Sequence, residues 1–178
     1  MIERLEQGFL QIYTGEGKGK TTAALGQAFR AAGHGLKVFM IMFMKDNREY
    51  GELESVKKLM PLFEIRQVGR ESFVSKKHPD PIDIRLAQDG LNLAKQVVAA
   101  GQHDLVILDE INVALDFALI TLADVLELIR STPSHVELIL TGRNAPSELI
   151  AMADLVTEMK LIKHPYQQGI KARLGIEH

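Results

Sequence analysis

The stretch TGEGKGKTT (Thr14 to Thr22) sets Gly15, Gly17 and Gly19 among Glu16, Lys18, Lys20, Thr21 and Thr22, directly after the apolar run FLQIY. Glycines let successive backbone N–H groups turn toward anionic oxygens, and a helix that starts after them adds partial positive charge. Lys18 and Lys20 supply formal charge, and Thr21 or Thr22 offers a hydroxyl for Mg2+. These parts suit a polyphosphate. The phosphate-loop pattern G-x-x-x-x-G-K-S/T is nearly met, but its first glycine would stand at position 14, where this chain has Thr14.

Two further constellations fit the same chemistry. DLVILDE ends in Asp109-Glu110, two carboxylates at the C-terminal tip of an apolar run. Ligands of open α/β sheets bind at such tips, and an acid there can hold or orient Mg2+. Spacing does not choose between Asp109 and Glu110, and strand-end acids also serve simply to meet solvent. LILTGRNAP places Arg143 at the end of another apolar run. Its planar fork suits phosphate oxygens, although an ordinary surface arginine after a turn fits as well. Arg30, on the helix after the glycine loop, could face nucleotide or solvent.

Other chemistries lack their parts. His34, His78, His103, His135 and His164 are dispersed, so no metal cluster is expected. No Ser-His-Asp arrangement or other side-chain nucleophile is suggested. The residues therefore fit Mg2+–ATP, and they leave open hydrolysis, phosphoryl transfer or a reaction in which the polyphosphate departs. A P-loop ATPase module acting on a protein partner and a small-metabolite kinase both stay open at this point.

These residues need strands and helices to position them. FLQIYTG, KVFMIMFMK, DLVILDE and VELILTG read as buried strands, with LFEIRQVG and DLVTEMKLI as weaker candidates. Continuous apolar runs imply burial on both faces, the habit of parallel sheets. Between them, KTTAALGQAFRAAG presents Leu25, Ala28 and Ala32 on one face, with Gly33 as its expected end. DIRLAQDGLNLAKQVVAAG repeats Ile84, Ala87, Leu91, Ala94 and Val98 at helical spacing, and Gly101 ends it. TLADVLELIR opens on Thr121 with Asp124 three residues on, a capping pattern, and NAPSELIAMA has Pro146 in its first turn. The methionines of FMIMFMK read as core. Strand–helix alternation predicts an α/β fold: a mainly parallel sheet of about six strands with helices on both faces. No linker or repeat interrupts it, so residues 1–178 are expected to form a single domain. GRESFVSKK followed by HPDPID is the longest stretch without periodicity, and it is where a second substrate would be sought.

Composition narrows the setting. The chain has 178 residues, 46% of them hydrophobic and 25% charged, the balance of a soluble globular protein. A net charge of −2 gives no footprint for nucleic acid or a membrane surface. The absence of cysteine excludes disulfides, thiolate metal sites and a cysteine nucleophile, and fits a reducing cytoplasm. The N-terminal MIERLEQG is too short and charged for a signal peptide, and no apolar run approaches the ~20 residues of a membrane span. A cytoplasmic location is expected.

Four stretches taken together resemble a known family. YTGEGKGKTTAALGQAFRAAGHG, DLVILDEIN, ILTGRNAPSELIAMADLVTEMK and KHPYQQGIKARLGIE are similar, in order, to the P-loop type of ATP:corrinoid adenosyltransferases of the cobalamin pathway. The resemblance runs from about residue 10 to the C-terminus and is weakest between about 44 and 100. It implies a RecA-like fold, a homodimer, and attack by cobalt(I) of a reduced corrinoid on C5′ of ATP, with triphosphate leaving whole. The corrinoid, cob(I)alamin or cob(I)yrinic acid a,c-diamide, then carries the nucleophile and depends on a reductant. The protein places C5′ in line with cobalt and stabilises charge on the leaving group. The resemblance further implies a loop effectively one residue short that binds ATP reversed relative to ordinary P-loop NTPases, which Thr14 matches. Lys20, Thr21 and Glu110 would carry the chemistry, and Thr21, Asp109 and Glu110 the metal. Well-known enteric members have a phenylalanine and a tryptophan two residues apart after the third strand. Here Phe73 is followed by Val74 and Ser75, and the chain has no tryptophan. Phe73 is the candidate aromatic wedge near cobalt, or a packing residue. The arm before the first strand is also short.

Overall fold

A computed structural model describes residues 4–45, 50–72 and 74–177. Phe73 lies outside the described residues. Six strands form one sheet: β1 (Leu10–Thr14), β2 (Val38–Phe43), β3 (Phe63–Val68), β4 (Leu105–Asp109), β5 (Glu137–Thr141) and β6 (Leu155–Glu158). Their order is β3-β2-β4-β5-β1-β6, and each neighbouring pair runs parallel. This is the expected architecture.

The order explains why some strands read clearly and others weakly. Every residue of β2, β4 and β5 is buried, so each is largely apolar on both faces, with Asp109, Glu137 and Thr141 as the polar exceptions. The two weaker candidates are the edges. β3 is mostly half-buried and β6 is exposed throughout, so neither carries a continuous apolar run.

One face of the sheet is covered by α1 (Lys20–Gly33) and α2 (Gly51–Lys57). Ala24, Ala28, Ala31 and Ala32 of α1 and Val56 of α2 pack on Tyr13, Met40, Met42, Ile107 and Ile139. The small alanines bring α1 close to the sheet. The other face is covered by α3 (Pro81–Ala100), α5 (Leu122–Arg130) and the short α6 (Ser147–Met152). There Ala87, Leu91, Ala94, Val98, Val125, Leu128 and Leu149 meet Ile12, Ile41, Phe43, Leu108 and Leu140. No helix among the described residues is long and apolar enough to cross a membrane.

Helix ends follow local chemistry, with two differences from expectation. Asp80 caps α3 by accepting from the Ile82 N–H at 3.0 Å, Pro81 occupies its first turn, and Gly101 closes it in the left-handed conformation. Thr121 caps α5 as anticipated, accepting from the Asp124 N–H. Gly33, expected to end α1, is instead its last residue, and Gly35 at φ 78° makes the turn. Gly35 N donates to Ala32 O and Leu36 N to Ala31 O, the paired closing bonds of a Schellman end. Pro146 stands one residue before α6 rather than inside it. Two short helices, α2 and α4 (Ile111–Asp116), have no periodic signature because each spans at most two turns.

At the opposite end of the sheet from the strand tips, His103 packs its ring on Phe39, with centroids 5.1 Å apart. Its Nδ1 is buried without a partner, and burial pushes its pKa down. The folded state thus favours the neutral ring. His103 contributes stability above its unfolded pKa that is lost as pH falls toward the lower folded value. Urea denaturation of wild type should show stability declining below about pH 6.5, and His103→Leu should flatten that decline. An unchanged slope in the variant would assign the acid sensitivity elsewhere.

Candidate active site

The strand order puts the tips of β2, β4, β5 and β1 side by side. Lys45, Asp109, Thr141, Arg143 and the glycine loop, far apart in sequence, therefore share one edge of the sheet. Asp109 is the centre of this edge. It is fully buried, and its carboxylate accepts from Thr21 Oγ1 at 2.8 Å, Thr141 Oγ1 at 2.7 Å and Lys45 Nζ at 2.8 Å. Each donor comes from a different part of the chain: the start of α1, β5 and the turn after β2.

Glu110 follows in the left-handed conformation (φ 62°, ψ 17°), which turns the chain sharply into α4. Its N–H donates to Thr141 Oγ1 at 3.0 Å, so that hydroxyl serves both acidic residues. Burial foremost, and then the Asp109 charge, raise the pKa of the Glu110 carboxyl.

The glycine loop is built against the chain that leaves β6. Gly17 N donates to Met159 O at 2.6 Å, and Met159 N donates to Thr14 O at 2.8 Å. A Cβ on Gly15 would fall 2.6 Å from Met159 O, and one on Gly17 would fall 2.7 Å from the carbonyls of Met159 and Lys160. Both positions exclude a side chain by close backbone approach. Gly19 at φ 120° opens α1, and no side chain caps the helix, so its first N–H groups face the loop. Thr14 Oγ1 accepts from Ala145 N at 3.3 Å. The residue that departs from the phosphate-loop pattern thus ties β1 to the segment carrying Arg143, which a glycine could not do.

Lys20 is buried and curls back into the loop, donating to Gly15 O and Gly17 O at 2.7 Å each. Burial lowers its pKa, and the Glu110 charge opposes that shift. The other cations hold acids. Lys45 lies 2.8 Å from Asp109, Arg143 lies 3.3 Å from Glu16, and Lys18 lies 3.7 Å from Glu177. Lys45 is held charged: its burial alone would lower the pKa, but Asp109 and Glu110 outweigh it and raise it.

A cavity of about 730 Å³ opens over these groups. Residues 16–22, Glu110 and Arg143 form one side, and Val113, Asp116 and Phe117 of the α4 region form another. The volume suits a nucleotide-sized ligand. The remaining wall is the C-terminal segment, with His164, Tyr166 and Gln167. His164 has a structural partner after all. Its Nδ1 accepts from Tyr166 N at 3.1 Å, and Gln167 Oε1 accepts from His164 N at 3.3 Å, capping a single 3-10 turn over Pro165–Gln168.

The loop between β3 and α3 is fastened at two points. Arg70 forms a two-pronged ion pair with buried Asp83 (2.6 and 2.8 Å) and lies 3.2 Å from Asp80. Lys76 donates to both oxygens of Asp116 at 2.7 Å, and Asn144 donates to the same carboxylate at 3.1 Å. Asp116 thereby joins this loop to the one carrying Arg143, and the Lys76 contact holds its carboxyl below the usual range.

Of the candidate residues, the structure brings together Thr14 to Thr22, Asp109, Glu110 and Arg143. It does not bring Arg30 to the cavity. Arg30 is exposed and bonded to Gln27 at 3.2 Å, ten residues along α1, about 15 Å from the loop at 1.5 Å per residue. Lys45, Asp116 and Thr141 escaped the sequence reading. A lysine closing the apolar run KVFMIMFMK was the available signal for Lys45.

A family model described as "ATP:corrinoid adenosyltransferase BtuR/CobO/CobP" matches residues 6–178. The chain belongs to the ATP:corrinoid adenosyltransferase family. Among members of that family, a corrinoid adenosyltransferase from Sinorhizobium is 38% identical over 97% of this chain and 81% of its own length. The Pseudomonas aeruginosa corrinoid adenosyltransferase is 38% identical over 98% and 85%, and that of Salmonella typhimurium 31% over 97% and 87%. Among solved structures, a KaiC-like protein from Pyrococcus horikoshii superposes with TM-score 0.59 at 18% identity, covering 92% of this chain and 84% of that one. The flagellar accessory protein FlaH of Methanocaldococcus jannaschii gives 0.59 at 17%, covering 86% and 72%. At such identities these two speak only to the RecA-like P-loop fold that the adenosyltransferase family shares with them.

Thr141→Val should remove both a donor to buried Asp109 and an acceptor for Glu110 N–H. We expect it to cost about 1–3 kcal/mol in urea denaturation, whereas Arg30→Ala should change stability little. Equal effects would contradict the central place given to Thr141.

Proposed function

We propose that this chain transfers the 5′-deoxyadenosyl group of ATP to cobalt(I) of a reduced corrinoid and releases triphosphate. Membership in the adenosyltransferase family carries the reading, and a loop built around Thr14, Gly15 and Gly17 supports it. In this reaction the cobalt electron pair forms the Co–C5′ bond. The electrons of the broken C5′–O bond leave with triphosphate. No proton moves at C5′, so the protein needs neither a nucleophile nor a general base there.

Its work is placement and charge. Loop N–H groups, the start of α1, Lys18 and Arg143 are suited to receive the triphosphate. Lys20 would exchange the Gly15 and Gly17 carbonyls for phosphate oxygens and meet the charge that grows on the leaving group. Thr21, Asp109 and Glu110 offer hard oxygen donors, the set Mg2+ takes together with substrate phosphates. Bound there, Mg2+ would neutralise charge on the departing triphosphate. Among the described residues no group of three or more acidic or imidazole side chains could hold a metal unaided. That suits an ion completed by its nucleotide.

The corrinoid is assigned to the loop after β3, which includes Phe73 as the proposed aromatic wedge. One catalytic domain over residues 1–178, a cytoplasmic homodimer and a separate corrinoid reductant belong to the same reading.

Protein, Mg2+–ATP and chemically reduced cobalamin should yield a light-sensitive adenosylcorrinoid with intact triphosphate. ADP and phosphate formed regardless of corrinoid would overturn the reading in favour of an ATPase. Lys20→Ala should lower turnover at least about 100-fold. Near-normal turnover would remove the glycine loop from the leaving-group site.

A further inference from the structure

Lys45 occupies a position the fold goes to some length to secure. Met44, just before it, is left-handed at φ 56°, a conformation unusual for a non-glycine residue. The backbone of Lys45 lies so close to Gly69 that a Cβ there would meet its N and O at 2.6 Å. The ammonium then reaches Asp109 Oδ2 at 2.8 Å and stands 5.5 Å from the centre of the Tyr50 ring. Asp109 is fully buried, and the Lys45 side chain is only 18% exposed.

Among the described residues, the charges nearest Asp109 offset one another without any ligand, with Glu52 adding a lesser negative charge toward Lys45. Two carboxylates, Asp109 and Glu110, face two ammonium groups, Lys20 and Lys45. Lys18 and Arg143 are likewise matched by Glu177 and Glu16. A divalent cation arriving alone would add positive charge to a largely desolvated place whose charges already offset one another. Arriving with a triphosphate, it would bring more negative charge than its own positive charge. Lys18 and Arg143 could meet the excess.

We propose that Lys45 makes metal binding conditional on the nucleotide: by holding Asp109 it keeps divalent cations out until a polyphosphate brings one in. Lys45 is thus a positioning residue that sets the order in which the site fills. The inference rests on the proposed metal role of Thr21, Asp109 and Glu110.

Equilibrium dialysis with Mn2+ as the probe tests it without any turnover. Wild-type protein should retain little Mn2+ alone and clearly more when ATP is present on both sides of the membrane. Lys45→Met should gain nucleotide-free Mn2+ affinity by at least about tenfold, given what one nearby unit charge is worth in such surroundings. Lys45→Arg, which keeps the charge, should exclude Mn2+ as wild type does. Adding Asp109→Asn to Lys45→Met should abolish the gain and so assign it to this carboxylate. If Lys45→Met does not fold by circular dichroism, Lys45→Gln takes its place as the neutral variant. Nucleotide-free retention by wild type equal to that with ATP overturns the inference. So does a neutral variant no better than wild type. If wild type retains no Mn2+ even with ATP, the metal site itself is wrong and the inference falls with it. Retention with ATP but no gain in the variant rejects Lys45 alone.

Discussion

A single buried carboxylate holds the working edge of this protein together. Asp109 stands at the tip of the central strand β4 and receives Thr21, Thr141 and Lys45 from three other parts of the chain. A buried charge is tolerated only where opposite charge and hydrogen bonds meet it. Here one of those partners, Thr21, is also a proposed ligand of the metal. Whatever orients Asp109 orients the start of α1, the end of β5 and the turn after β2. The site stands on a sheet in which every residue of β2, β4 and β5 is buried.

The same economy extends outward. Thr14 and Thr141 are small hydroxyl residues at neighbouring strand ends, and each bridges two segments of the site. Asp116 does this at longer range, tying the loop after β3 to the loop that carries Arg143. A nucleotide region and a loop assigned to the corrinoid thus share one wall, as expected where C5′ of one substrate must meet the metal of the other. The C-terminal segment closes the opposite side, with Lys18 reaching Ile176 O at 3.2 Å.

Much of this was legible beforehand, for physical reasons. Parallel strands buried on both faces must be mostly apolar, so β2, β4 and β5 announced themselves, while the edge strands β3 and β6 did so only weakly. Asp109 and Glu110 could be placed because the end of an apolar run marks a strand tip. What the sequence could not reveal was which tips are neighbours. That depends on the crossover order, and only the order brings Lys45 and Thr141 to Asp109. Arg30 stands away from the cavity for the converse reason. Being near the loop in sequence puts a residue ten positions along a helix far away in space. His164 read as isolated because its partners are backbone and amide groups of its own turn, which no spacing rule for metals or bases would find. The glycine end of α1 was misplaced by two residues, since Gly33 and Gly35 are equally eligible by type and only the backbone decides between them.

The central claim is that the edge organised by Asp109 holds the triphosphate as a leaving group and turns C5′ toward the loop after β3. A crystal structure with Mg2+ and ATP bound tests it most directly. The account predicts triphosphate between the glycine loop and Asp109, with Lys20 moved from the carbonyls of Gly15 and Gly17 onto phosphate oxygens and the C5′–O bond directed at residues 69–80. A γ-phosphate presented to a water on Glu110, with C5′ pointing away from that loop, would contradict it and describe an ATPase instead.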